Sequence, residues 1–215
     1  MKIFFIRHGE SVANKEKVFQ GWTDVSLSLT GQEQAKSLGE YFKRNNTKFT
    51  RIYSSPLKRA VETAQYLMHN SDFPELITKK GFRSINVGRW AGITIDGVEK
   101  HFPKELEKWR NKPQKFCFPE GESIIDVQKR AKSSLFEILG EHKDFQHNIG
   151  IITHMITIKV LILTLLKVDL NSIWDPQYTI PNTGMVIFEV NRNNEGDKFT
   201  FERIFTETSL PHLNY

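Results

Sequence analysis

With a single cysteine, Cys117, the 215-residue chain can form no intramolecular disulfide and holds no thiolate metal site. Cys117 itself reads as a small buried or half-buried hydrophobe. Basic runs are also missing. The 30 Lys and Arg outnumber the 25 Asp and Glu, giving a formal charge of +5, but no five basic residues stand together. A nucleic-acid-binding arm is therefore not expected, while anionic small ligands are favoured. The longest apolar stretch, 149–168, is interrupted by His154 and Lys159. It is too polar for a membrane span and reads as a buried strand followed by a helix from about Ile156. The first apolar run is short and leads straight into Arg7-His8-Gly9-Glu10, so no signal peptide is expected there and a reducing, cytoplasmic setting is. Neither internal repeats nor low-complexity tracts are visible.

Core material is ample: 16 phenylalanines and four tryptophans stand in a chain that is 39% hydrophobic. The length suits one domain, 1–215, with a cap inserted at about 91–121. The run 2–6, with two aromatics, predicts a buried strand. Thr30, with Glu33 three residues on, predicts a capping box opening a helix that carries Ala35, Leu38, Tyr41 and Phe42. A strand is expected at 51–54. Pro56 then opens a helix that buries Ala60, Ala64 and Leu67, with Arg59 one turn in. Alternating strands and helices imply an α/β fold, a mainly parallel central sheet flanked by helices. Aromatics among charges between Trp90 and Pro119 suggest a helical cap. A long helix is expected at 122–141. Two late strands, 184–190 and 199–205, joined by a polar turn at 193–197, suggest an antiparallel edge.

Arg7, His8, Arg59 and His154 all stand at strand ends or helix starts. In a parallel α/β sheet such positions converge on one edge, where ligands bind. Each alone has a plain reading as a surface arginine, a capped strand end or a satisfied core histidine. Together they suit a tetrahedral phosphoryl group. Arginine forks take its oxygens, and a neutral imidazole nitrogen attacks phosphorus. The remaining cations stabilise charge spread over the transferring group.

Five ordered motifs carry a wider resemblance: Arg7-His8-Gly9-Glu10-Ser11 with Asn14 and Gln20-Gly21-Trp22-Thr23-Asp24; Ser54-Ser55-Pro56-Leu57-Lys58-Arg59-Ala60; Gly88-Arg89-Trp90-Ala91-Gly92; Pro119-Glu120-Gly121-Glu122-Ser123; and Thr153-His154. This order resembles the histidine phosphatase superfamily, phosphoglycerate mutase-like, and within it the small-molecule phosphatase branch. The mutase branch carries a longer insertion where this chain has its short cap. The resemblance implies a phosphatase in which His8 is the phosphorylated nucleophile and Arg7, Arg59 and His154 surround the phosphate. It also implies contacts from Asn14, Gln20 and Gly21, a small phosphorylated substrate, no cofactor and no metal. A homodimer is compatible with it.

The sequence departs from the family at two places. The third signature usually carries a glutamate as general acid, and here Ser84 stands in its place within Phe82-Arg83-Ser84-Ile85. Serine cannot protonate an alkoxide effectively, and an acid is worth about 10²- to 10⁴-fold. Three explanations stay open. Glu122 replaces the acid, although its place where a helix begins also suits the helix dipole. Alternatively the substrate has a good leaving group: an aryl or acyl phosphate, or a phosphorylated nitrogen. Or the protein is a weak enzyme kept as a phosphate binder, or a chain altered at that position. A mutase is the further alternative. The second departure is Met155, where relatives have glycine; it either crowds the phosphate or packs. Trp109, Phe116 and Phe118 are expected to line a specificity pocket or to pack the cap.

Overall fold

Three strands that run the same way bring their C-terminal ends to one edge, and this places the site. In the computed structural model, which describes residues 1–69, 74–142, 147–192 and 199–207, β1 (Lys2–Arg7) pairs in parallel with β4 (Asn148–Thr153). β4 in turn pairs in parallel with β2 (Phe49–Ser54), and β2 with the short β3 (Leu76–Thr78). On the far side of β1, β5 (Met185–Arg192) and β6 (Phe199–Glu207) run antiparallel, giving the order β3-β2-β4-β1-β5-β6. This is the expected α/β sheet with its late antiparallel edge. The turn expected at 193–197 lies outside the described residues.

Side chains that alternate along the strands divide the core in two. Phe4, Ile6, Ile52 and Ile152 face α2 (Leu29–Arg44) and α3 (Lys58–Met68). Ile3, Phe5, Ile149 and Ile151 face the cluster built with α6 (Ile124–Glu141) and α7 (Met155–Leu165). Short α1 (Val12–Lys15) follows β1. Between Gly88 and Gly121 lie α4 (Ile95–His101), α5 (Pro103–Asn111) and single 3₁₀ turns, so the region is helical as expected. Among the described residues, no helix is long and apolar enough to cross a membrane.

Local chemistry corrects two expectations. Ser28, not Thr30, caps α2: its hydroxyl accepts from Gly31 N at 3.0 Å, and Glu33 pairs with Lys36 instead. The helix therefore starts two residues earlier than the capping-box reading places it. Cys117 is exposed rather than buried. It stands in an extended stretch between Phe116 and Phe118; both of those turn inward, so the residue between them turns out.

Candidate active site

The β1–β4 register sets Arg7 beside Thr153, which makes His8 and His154 neighbours just beyond the strand ends. Their rings lie 5.1 Å apart, centroid to centroid, and both are buried. The next residue after β2, Ser55, is tied to β4 through Ser55 N and Ile152 O at 2.9 Å, and Arg59 follows in the first turn of α3. Arg7, His8, Arg59 and His154 thus line one cavity of about 290 Å³, together with Asn14, Gln20, Gly21 and Ser84.

Each ring has an assignable proton. His8 Nδ1 lies 2.7 Å from Gly9 O. A carbonyl can only accept, so Nδ1 carries the hydrogen and Nε2 keeps its lone pair. His154 Nε2 lies 2.8 Å from Ser55 Oγ, which also accepts from Leu57 N. Because Ser55 Oγ already accepts from Leu57 N, we assign its own hydrogen to His154 Nε2, which puts the ring N–H on Nδ1. Burial, then Arg59 and Arg7, push the His8 pKa well below its ordinary value. Burial and the positive charges of Arg59 and its neighbours do the same to His154. Both rings are therefore neutral at pH 7.

The guanidiniums are held but not neutralised. Arg59 donates to Thr23 O at 3.0 Å and Gly21 O at 2.9 Å; Arg7 donates to Ile180 O at 2.7 Å. Burial lowers each pKa to about 10. Arg7 Nε, Arg59 Nε and His154 Nδ1 are buried with no hydrogen-bond partner among the described residues. Among the described residues, no carboxylate lines the cavity. Asp24, which raises the Arg59 pKa, instead accepts from Lys58 N at 2.6 Å. Uncompensated cations and orphaned donors in one cavity are costly unless an anion completes them.

Supporting loops are built for close approach. Gly9 admits backbone: a Cβ there would lie 2.5 Å from Gly31 O, so the neighbour it accommodates is α2. Gly21 has φ +51° and presses on Val87, and this conformation aims its carbonyl at Arg59. Ser11 Oγ lies 3.0 Å from Asn14 Oδ1 and 2.9 Å from the Gln20 side-chain amide; its single hydrogen goes to one of them.

Glu122 does not line the cavity, contrary to its expected place as a replacement acid. Its carboxylate takes Arg130 Nε at 2.8 Å, Arg130 Nη2 at 3.0 Å and Asn86 N at 2.8 Å. Arg130 also reaches the carbonyls of Gly81, Arg83 and Ser84. Glu122 is thus an anchor for the segment that carries Ser84. Trp22 Nε1 holds the Ser84 carbonyl from the other side at 2.7 Å. Met155 lines the cavity with its sulfur 3.7 Å from Arg7 Nη1. Trp109 and Phe118 do both things expected of them: they pack together at 4.9 Å and line the wall. Phe116 packs on both but does not line the cavity.

Several contributors carried no strong sequence signal. Asn182 Nδ2 donates to His8 O at 2.9 Å, Thr63 Oγ1 accepts from Gly9 N at 3.0 Å, and Trp174 completes the wall. Only the turn-rich Pro181-Asn182-Thr183-Gly184 could have marked the first of these.

The model of the histidine phosphatase superfamily (branch 1) matches residues 3–202. A phosphoserine phosphatase 1 of Hydrogenobacter thermophilus is 30% identical over 193 residues, 90% of this chain and 89% of that enzyme. A 2,3-bisphosphoglycerate-dependent phosphoglycerate mutase of Porphyromonas gingivalis is 39% identical, but over 51% of this chain and 45% of its own length. Among solved structures, Bacillus stearothermophilus YhfR superposes with a TM-score of 0.86 at 27% identity, covering 98% of both chains. A phosphoserine phosphatase of Entamoeba histolytica in complex with phosphoserine gives 0.78 at 27% identity, covering 99% of this chain and 98% of that one.

Proposed function

The chain belongs to the histidine phosphatase superfamily, and from that premise we propose that it hydrolyses small phosphomonoesters through a phosphohistidine at His8. The observation that carries this reading is the cavity in which His8 Nε2 keeps a lone pair beside three orphaned donors, on Arg7, Arg59 and His154, with no carboxylate among the described lining residues.

The phosphate dianion sits among Arg7, Arg59 and His154, with Asn14 and the Gln20-Gly21 loop around it. His8 Nε2 forms a bond to phosphorus while the ester P–O bond breaks, and the leaving oxygen departs with the electron pair. The cations hold the charge on the three equatorial oxygens. Water then cleaves the N–P bond, releasing inorganic phosphate and restoring the imidazole. The two arginines and the His154 N–H supply the positive field, so the step needs no metal. Ser84 stands where relatives place the general acid, and this restricts efficient turnover to esters that release a stable anion. The 91–121 segment acts as a cap within one domain. A chain with a single cysteine suits the cytoplasm.

Purified His8→Ala should lose at least about 10⁴-fold in kcat on p-nitrophenyl phosphate, and the parent should yield an acid-labile, base-stable phosphoenzyme on quenching. Undiminished turnover in the variant would end the proposal. The absent acid favours one second reading, a phosphate binder of little turnover. Tight binding of inorganic phosphate with no burst of p-nitrophenol would support it.

A further inference from the structure

Beyond the phosphate cluster, the cavity changes character. Its apolar lining includes Val18, Val87, Trp109, Phe118, Ile156 and Trp174. The indole nitrogen of Trp174 is spent on Trp109 O at 3.0 Å, so it offers the cavity no donor. Ser84 has its carbonyl occupied by Trp22 and Arg130, so its hydroxyl is the polar group it can turn to the cavity. Among the described residues outside the phosphate cluster, the sole charged lining residue is Lys17, which is exposed. A volume of about 290 Å³ stands at the small end of ligand sites. It admits a phosphoryl group and one ring.

We propose that the substrate is a phosphate monoester of a small, uncharged phenol, with the ring against the apolar lining residues, among them Val18, Val87, Trp109 and Trp174. This rests on the phosphohistidine reading above. Two independent features select it. An ammonium beside the phosphate would meet guanidiniums and no carboxylate among the described lining residues, and a sugar or polyol has more hydroxyls than Asn14, Gln20 and Ser84 could pair, leaving the rest against carbon. A phenol ionises near ~10, against ~15.7 for water, so phenolate leaves without the proton that a glutamate at position 84 would give. The balance is complete: His8 Nε2 gains phosphorus, phenolate leaves and takes its proton from solvent, and water then breaks the N–P bond. The proposal separates this chain from relatives named for phosphoserine.

Four esters assayed with the full chain decide it. Phenyl and benzyl phosphate share a ring but differ in leaving group. Phenyl phosphate and free phosphotyrosine share a phenolic leaving group but differ by a charged ammonium and carboxylate. Phosphoserine differs in both. We expect kcat/KM for phenyl phosphate to exceed benzyl phosphate by about 100-fold, and phosphoserine by more. Free phosphotyrosine should have a KM about tenfold above that of phenyl phosphate. Ser84→Glu should raise benzyl phosphate turnover at least about tenfold more than phenyl phosphate turnover. Trp174→Ala should raise KM for phenyl phosphate about tenfold, while inorganic phosphate still inhibits. Phosphoserine or benzyl phosphate turned over as fast as phenyl phosphate, with the phosphohistidine still trapped, would overturn this inference alone. No phosphohistidine at all would remove its foundation.

Discussion

Arg59 and Arg130 are both held by several acceptors, yet the two regions around them are built to opposite ends. Arg130 lies against a carboxylate and three carbonyls, and its charge is answered by Glu122 on two nitrogens. Arg59 is buried more deeply, touches carbonyls only, and has an Nε with no partner. Neutralisation from within makes a cation structural; withholding that neutralisation makes it a receptor for an anion.

Replacing each arginine should separate these roles. Arg59→Ala should lower kcat/KM on phenyl phosphate by about 10³-fold, and it should abolish inhibition by inorganic phosphate. Its urea midpoint should fall less than that of Arg130→Met, because removing an uncompensated buried charge offsets the lost packing and the lost donors to Thr23 O and Gly21 O. Arg130→Met should do the reverse, costing about 3 kcal/mol in urea unfolding by stranding Glu122 and three carbonyls, while phosphate still binds the remaining folded protein. Equal stability losses in both variants would erase the contrast.

Acid sharpens the comparison through the histidines. The folded pKa values of His8 and His154 are lowered, so the unfolded chain binds more protons once pH falls below about 6.5. Stability from these two rings is complete above that pH and lost as pH drops towards the folded values. The melting temperature should therefore fall between pH 7 and 5, and less steeply in His154→Asn. Saturating phosphate should raise it throughout by binding only the folded state. The smallest effect concerns the loop that holds Arg59. Gly21→Ala should cost about 1 kcal/mol in urea unfolding from its positive φ, with a rise in KM as the carbonyl under Arg59 shifts.

What could be read from the sequence followed from period and position. Apolar runs ending in Arg7-His8 and Thr153-His154 define both parallel strands and the edge where they stop, so the cluster is visible before any coordinates. Partners set by tertiary geometry are not. Glu122 looks like a residue at a helix start, and nothing in its neighbourhood says that Arg130, two turns on, will claim it. Cys117 looks like core until the inward turn of Phe116 and Phe118 fixes its side. Thr30 with Glu33 looks like a capping box, and only the Gly31 N–H, held by the Ser28 hydroxyl, shows that the helix begins earlier. Trp174 and Asn182 come from a segment of turns with no period to betray which face they serve.

The position of β1 has a consequence for the birth of the protein. Its His8-bearing end is gripped on one side by β4 and on the other by the 180–184 segment, with Arg7 N on Gly184 O and Thr183 N on Arg7 O, both at 3.0 Å. Residue 8 is made early, but the groups that aim it are made more than 140 residues later. A nascent chain on the ribosome therefore carries an imidazole with no geometry, and closing such distant pairings is slow. Activity should arrive abruptly, once synthesis passes the fifth strand, rather than grow with length.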